Sequence, residues 1–177
     1  MNFRLLNKAD YDTAYSKSIV QSDDFWEEIA AYYHWETKWN SVQHCNMKTA
    51  HFSWFEGGKT NICFNAVDRH LKERSNEIAY IFEPNNPEEA CTMISYQKLH
   101  EEVCRYANLL KHFNVKKGDR VCIYLPMIPE LVYAVLACAR IGAVHSVVFA
   151  GFSSQSLAAR IQDCEAKLII TADGSFR

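Results

Sequence analysis

The second half of the chain alternates short apolar runs with helix-forming segments, and this alternation constrains the fold more than any other feature. The pattern predicts strands over residues 120–125, 144–149 and 167–171, separated by a helix beginning at Pro129 and a second helix capped by Ser153. The predicted strands are apolar throughout, which is typical of parallel strands covered on both faces. We therefore expect an α/β fold in which a βαβαβ unit with right-handed crossovers opens a larger, mostly parallel sheet.

The first 74 residues differ from the rest of the chain in composition and periodicity. They contain all four tryptophans and few periodic segments, which favours an arm of short helices laid over a neighbouring domain. Ser22 is expected to cap a helix that runs through about Tyr33, and a second helix is expected from after Asn65 to about Arg74. The sequence thus predicts a domain boundary near residue 75, with regions 1–74 and 75–177.

The segment after residue 75 reads as a hairpin followed by a helix. The predicted hairpin pairs residues 78–82 with residues 92–94, and Ser95 is placed to cap the helix. Five apolar positions at spacings of four and three predict the buried face of that helix: Leu99, Val103, Tyr106, Leu110 and Phe113. Asn114 suits a left-handed residue at the helix end.

Charge and composition exclude several classes of function. The formal net charge is −2 and no block of like charges occurs, so neither a nucleic-acid groove nor an anionic membrane surface is indicated. The seven cysteines form no CxxC motif and several lie in apolar runs, which favours free thiols in a reducing cytoplasm. The histidines form no pair of metal-site type, so no metal is predicted.

In a parallel sheet, ligands bind outside the carboxyl ends of the strands. Gly151 and Ser153 follow the second predicted strand and Arg177 follows the third, which suits a phosphate-binding corner. Without further evidence, the same residues are better explained as an ordinary glycine turn, a serine cap and a solvated arginine. Gly58-Lys59-Thr60 fails as a P-loop because Ser53 stands where the first glycine is needed.

The motifs carry a resemblance to a known family. The stretch 115–177, which includes YLPMIPELVYAVLACARIGAVHSVVFAGFS, is similar to the early core of the acetyl-coenzyme A synthetases, within the adenylate-forming (AMP-binding) acyl-CoA synthetases. WFEGGKTN at 54–61 and NAVDRHL at 65–71 resemble the same family, and assign residues 1–74 to its N-terminal cap region. The resemblance covers essentially the whole chain from about Tyr11.

The resemblance implies a cytoplasmic ligase that makes acetyl-CoA from acetate, ATP and coenzyme A through an acetyl-adenylate. It also implies that the ATP, Mg²⁺ and acetate sites lie beyond this chain, in the rest of the same polypeptide, so we expect the 177 residues alone to be inactive and to have no catalytic residue. The alternatives are a propionyl- or other short-chain acyl-CoA synthetase, or a non-catalytic flavodoxin-like nucleotide-binding module.

The resemblance further implies part of a coenzyme A site. By the family pattern Phe149 and Gly151 flank the CoA adenine, and Arg177 meets the 3′-phosphate. The family's usual residue between the first two is glycine, where this chain has Ala150.

Overall fold

The computed structural model describes residues 5–174. The chain divides into two compact units, Met1–Thr60 and Asn61–Arg177. The domain boundary near residue 75 remains a prediction.

From residue 5 onward the first unit contains two helices and a hairpin. Their bounds are α1 Lys8–Val20, α2 Ser22–Ala30, β1 Ser41–Asn46 and β2 His51–Glu56, with β1 and β2 antiparallel. Helix α1, which the sequence pattern did not predict, begins where the Asn7 side chain accepts a hydrogen bond from the Asp10 amide. The prediction for Ser22 was wrong, because Ser22 is the first helical residue and no side chain caps α2, which ends at Ala30 rather than near Tyr33.

Aromatic side chains form the core of the first unit. The Trp35 ring lies 4.8 Å from Trp39 and 5.3 Å from Phe55, and Val42 and Ala30 are buried against this cluster. The Trp35 indole nitrogen donates to the Ala30 carbonyl at 3.0 Å, so its polar atom is satisfied. Trp35, Trp39 and Phe55 therefore build a small core around the hairpin.

The second unit contains the α/β part of the chain. Its elements are α3 Ile62–Ala66, a 3₁₀ turn Asp68–His70, α4 Leu71–Arg74, β3 Ile78–Phe82, β4 Thr92–Ser95, α5 Tyr96–His112, β5 Arg120–Tyr124, α6 Pro129–Ile141, β6 Val144–Val147, α7 Ser154–Asp163 and β7 Leu168–Thr171. The single helix predicted up to Arg74 is wrong in its start and continuity: α3 begins earlier, where Asn61 caps it, and the helix is interrupted at Val67. The β3–β4 hairpin is antiparallel, as predicted.

Helix α5 follows the predicted pattern with one exception. The Ser95 hydroxyl accepts from the Lys98 amide at 3.2 Å, and Leu99, Val103 and Leu110 are buried. Phe113 does not complete the stripe, since it lies past the last helical turn and is 53% exposed. Asn114 takes the expected left-handed conformation, with φ of 59°.

The sheet positions the candidate site. It has the order β6-β5-β7 with both pairs parallel, so the carboxyl ends of the three strands share one edge. Only β5 is buried throughout its centre, at Val121, Cys122 and Ile123. Strands β6 and β7 keep exposed residues, and α7 buries none of its residues in the described part of the chain. Coverage of every strand on both faces, as the apolar pattern suggested, therefore remains a prediction.

The sharp ends of α6 follow from two local features. Pro129 occupies the first turn, where a missing amide costs nothing. Gly142 ends the helix with φ of 75°, and a Cβ there would come within 2.9 Å of the Lys117 side chain. These features return the chain to β6 beside β5.

Candidate nucleotide-contact turn at the carboxyl edge of the sheet

A tight turn follows β6 at the carboxyl edge. The Phe152 amide donates to the Phe149 carbonyl at 3.0 Å, which closes a four-residue turn with Ala150 and Gly151 in the middle. The Phe149 side chain is 66% exposed. An apolar ring in this position offers a flat surface on which a planar base can stack.

Tyr124, at the end of β5, contacts this turn. Its hydroxyl lies 2.9 Å from the Ala150 carbonyl oxygen and 3.1 Å from the Phe152 carbonyl oxygen, and donates its hydrogen to them. Sequence reasoning missed this residue. The available signal was a polar-tipped side chain ending an otherwise apolar strand.

A second set of contacts supports the rings of the turn. The rings of Phe149 and Phe152 meet edge to face with centroids 6.0 Å apart. The Arg160 guanidinium lies 4.9 Å from the centroid of the Phe152 ring. The cation from α7 therefore holds Phe152, which in turn packs against Phe149.

Ser153 immediately precedes α7 and caps it, as the sequence indicated. Its hydroxyl accepts from the Ser156 amide at 3.3 Å. This bond leaves the hydroxyl engaged in helix capping, in agreement with its interpretation as a cap rather than a nucleophile.

The structure brings two of the three predicted site residues together. Phe149 and Gly151 lie in the same four-residue turn. The chain after β7 passes through Ala172 to Gly174. Arg177 lies outside the described residues, so its contact with a phosphate remains a prediction.

A polar cluster lies elsewhere in the second unit, between α5, α6 and the 3₁₀ turn. Asp68 forms a 2.6 Å ion pair with Arg140, and the His100 imidazole lies 3.4 Å from the other Asp68 oxygen. Burial by itself lowers the pKa of the Arg140 guanidinium, but the hydrogen bond and charge of Asp68 outweigh it and hold that pKa above its ordinary value. Burial raises the pKa of the nearby Cys63 thiol to about 11. A neutral, inaccessible thiol beside a closed ion pair indicates a structural role.

The first unit has a groove of its own. It encloses about 690 Å³ beside α2 and the Trp35–Trp39 segment, and its charged rim is paired through Lys17–Glu28 at 2.6 Å and Lys38–Glu27 at 3.1 Å. Lys59, of the rejected P-loop match, forms an antiparallel bridge with Thr37. Four of the charged side chains that line the groove are therefore neutralised in ion pairs with one another.

Residues 5–174 offer neither a cluster of metal ligands nor a membrane-spanning helix. Within that range no three His, Cys, Asp or Glu side chains converge in a way that could hold a metal ion. None of the helices described there combines the length and apolar character needed to cross a bilayer.

Comparison with known proteins identifies the class. Residues 67–176, which include the whole of the parallel sheet and the turn after β6, match the AMP-binding enzyme family. The chain therefore belongs to the AMP-binding enzymes.

The comparison also specifies the branch of that family. Residues 11–66 match the acetyl-coenzyme A synthetase N-terminus. Acetyl-coenzyme A synthetase 2 of Pseudomonas aeruginosa is 51% identical over 173 residues, covering 97% of this chain and 27% of the relative. The acetyl-coenzyme A synthetases of Saccharophagus degradans and Bradyrhizobium diazoefficiens are 49% and 50% identical, also over 97% of this chain and 27% of theirs. The chain thus spans about a quarter of the length of the curated relatives it matches.

Proposed function

We propose that this chain is the N-terminal part of an acetate:CoA ligase (AMP-forming) and that it supplies part of the coenzyme A nucleotide site. The observation that carries the proposal is the exposed Phe149 ring on a fixed turn at the carboxyl edge of the sheet, in a chain about 50% identical to acetyl-coenzyme A synthetases. Regions 1–74 and 75–177 are then the cap region and the incomplete start of the AMP-binding domain.

The proposed reaction has two steps. A carboxylate oxygen of acetate attacks the α-phosphorus of ATP, which gives acetyl-adenylate and releases pyrophosphate. The thiolate of CoA then attacks the acetyl carbonyl carbon, which gives acetyl-CoA and expels AMP as the leaving group. Adenylation is needed because an unactivated carboxylate has no adequate leaving group.

In this proposal the chain binds and orients CoA rather than performing either bond exchange. Phe149 stacks on the adenine, the backbone around Gly151 allows the base to approach, and Arg177 pairs with the 3′-phosphate. The residues described here do not fit a Mg²⁺ site, since no three carboxylate or other ligating side chains converge. ATP, Mg²⁺ and acetate therefore fall, in this proposal, to the rest of the same polypeptide.

Partners and location follow from the same proposal. Acetate, ATP and CoA are the substrates, no nucleic acid or membrane takes part, and the enzyme works in the cytoplasm. The names of the relatives favour acetate over propionate as the acyl donor.

Titration of the 177-residue chain with CoA tests the binding role. We expect CoA binding by calorimetry or ligand-observed NMR, with Kd raised about tenfold in Phe149→Ala because stacking on a base contributes about 1–3 kcal/mol. Phe113→Ala is the matched control, because Phe113 is a similarly exposed phenylalanine that follows α5 and stands outside the turn. It should bind CoA as the wild type does.

Further ligands separate the alternatives. Weaker binding of 3′-dephospho-CoA than of CoA is expected if Arg177 meets the 3′-phosphate. Acetyl-CoA formation by the purified chain from acetate, ATP and CoA would contradict the assignment of catalysis to other residues. Tight binding of FMN with no binding of CoA would favour the flavodoxin-like module.

A further inference from the structure

Tyr124 links the best buried strand of the sheet to the candidate CoA turn. It follows the fully buried Ile123 and pairs with Thr171 of β7, so its backbone is fixed from within the sheet. Its side chain reaches the neighbouring strand end, where the hydroxyl contacts the Ala150 and Phe152 carbonyl oxygens at 2.9 and 3.1 Å.

The two contacted carbonyls lie on either side of Gly151. A tyrosine hydroxyl has one hydrogen, which these two acceptors share, so both peptide groups are held toward the same point. Gly151, whose backbone is the least restricted in the turn, therefore lies between two peptide groups that the hydroxyl holds in place. The direction of the turn relative to β5 then depends on this hydroxyl and on the backbone bond from the Val148 amide to the Ile123 carbonyl, 2.8 Å long, just before the turn.

The orientation of Phe149 depends on the same turn. Phe149 is its first residue, and its carbonyl accepts the bond that closes the turn from Phe152. The ring of Phe149 also rests against the edge of Phe152, which Arg160 covers at 4.9 Å. A movement of the turn would therefore shift both rings together.

We propose that Tyr124 is a positioning residue for coenzyme A: its hydroxyl fixes the turn so that Phe149 presents its ring to the adenine. The inference rests on the proposed function, because it needs the adenine to stack on Phe149. Tyr124 acts through Phe149 and does not itself contact the ligand.

Removal of the hydroxyl tests the inference. Tyr124→Phe keeps the ring that packs at the end of β5 and deletes only the bond to the turn, so we expect a melting temperature near that of the wild type. Loss of one hydrogen bond to the turn should raise the Kd for CoA about fivefold. Amide hydrogen exchange should increase at Phe152, whose amide closes the turn. Tyr106→Phe, which removes a hydroxyl from α5, is the matched control and should leave both readouts unchanged.

A double variant separates positioning from a general loss of structure. If Tyr124 acts only through Phe149, then Tyr124→Phe combined with Phe149→Ala binds CoA no more weakly than Phe149→Ala alone. Additive losses of CoA affinity in the double variant would overturn the inference. So would a Tyr124→Phe variant that binds CoA as tightly as the wild type while Phe149→Ala binds it more weakly. The proposed function would survive both results. Absence of CoA binding by the wild-type chain would reject the proposed function and the inference together, whatever the amide exchange shows.

Discussion

Replacement of Asp68 by asparagine is expected to destabilise the second unit substantially. The ion pair with Arg140 is short, at 2.6 Å, and the two side chains are only 17% and 24% exposed. Asparagine keeps the shape of the side chain but leaves the guanidinium without its carboxylate in a mostly buried place. Stranding one member of a buried pair costs about 3–5 kcal/mol, and the residual exposure places this case at the lower end, near 3 kcal/mol. For a chain of this size the melting temperature should fall by about 6–12 °C.

The assay is thermal and urea unfolding of Asp68→Asn, Arg140→Gln and the double variant. Since the two side chains interact directly, the double variant should lose less stability than the sum of the single variants. Glu77→Gln is the control, because the Arg74–Glu77 pair has similar geometry at 2.7 Å but side chains that are 45% and 55% exposed. It should melt close to the wild type. Equal melting temperatures for Asp68→Asn and Glu77→Gln, or strictly additive losses in the cycle, would refute the assignment of a buried, coupled pair.

Three further outcomes are expected. The hydrogen bond from Lys167 holds the pKa of Asp119 below its ordinary value of 3.8. The stability that Asp119→Asn removes should therefore be fully present above pH 3.8 and be lost as the pH falls through the pKa of the native state. Melting curves of both proteins between pH 7 and 2.5 will show this difference. The hydrogen bond to Glu83 raises the pKa of the exposed Cys91 thiol. Glu83→Gln should therefore speed the alkylation of Cys91 by iodoacetamide at pH 7.5, as measured by peptide mass spectrometry. An unchanged alkylation rate would contradict this contact. Ser153→Ala should cost about 1 kcal/mol of local helix stability, visible as faster amide exchange in the first turn of α7 and not in α5.

Local chemistry made parts of the fold predictable. Ser95, Asn114 and Gly142 each satisfy a backbone requirement within four residues of themselves, and the structure has a cap, a left-handed residue and a helix end at these positions. The order of strands and helices in the βαβαβ unit follows equally from patterns within short windows.

Features that depend on distant partners were not predictable in the same way. The β1–β2 hairpin has aromatic residues on both faces, and its core forms only when Trp35 and Phe55 meet across twenty positions. Phe113 fits the helical stripe by spacing but lies after the last turn, where it stays 53% exposed. Burial of the strands likewise depends on which neighbours flank each one, which an apolar run does not specify.

The residues of the candidate site also differ in whether local sequence predicts them. Phe149 and Gly151 could be placed at a strand end from pattern alone, and their role toward CoA remains a proposal. The contact of Tyr124 with their turn could not, because β5 and the turn after β6 are separated by the whole of α6. Parallel pairing brings them together, and the register of that pairing is a property of the folded sheet.

The strand order β6-β5-β7 also determines the order in which the strands can pair while the chain is being synthesised. The central strand β5 leaves the ribosome first and can pair with β6 soon afterwards, but its other edge has no partner until β7 has emerged. At about 5–20 residues per second, the roughly 50 residues between the ends of β5 and β7 correspond to an interval of several seconds. During that interval the strand that becomes the most buried of the sheet exposes a free hydrogen-bonding edge. At this stage a chaperone would protect it from pairing with another chain.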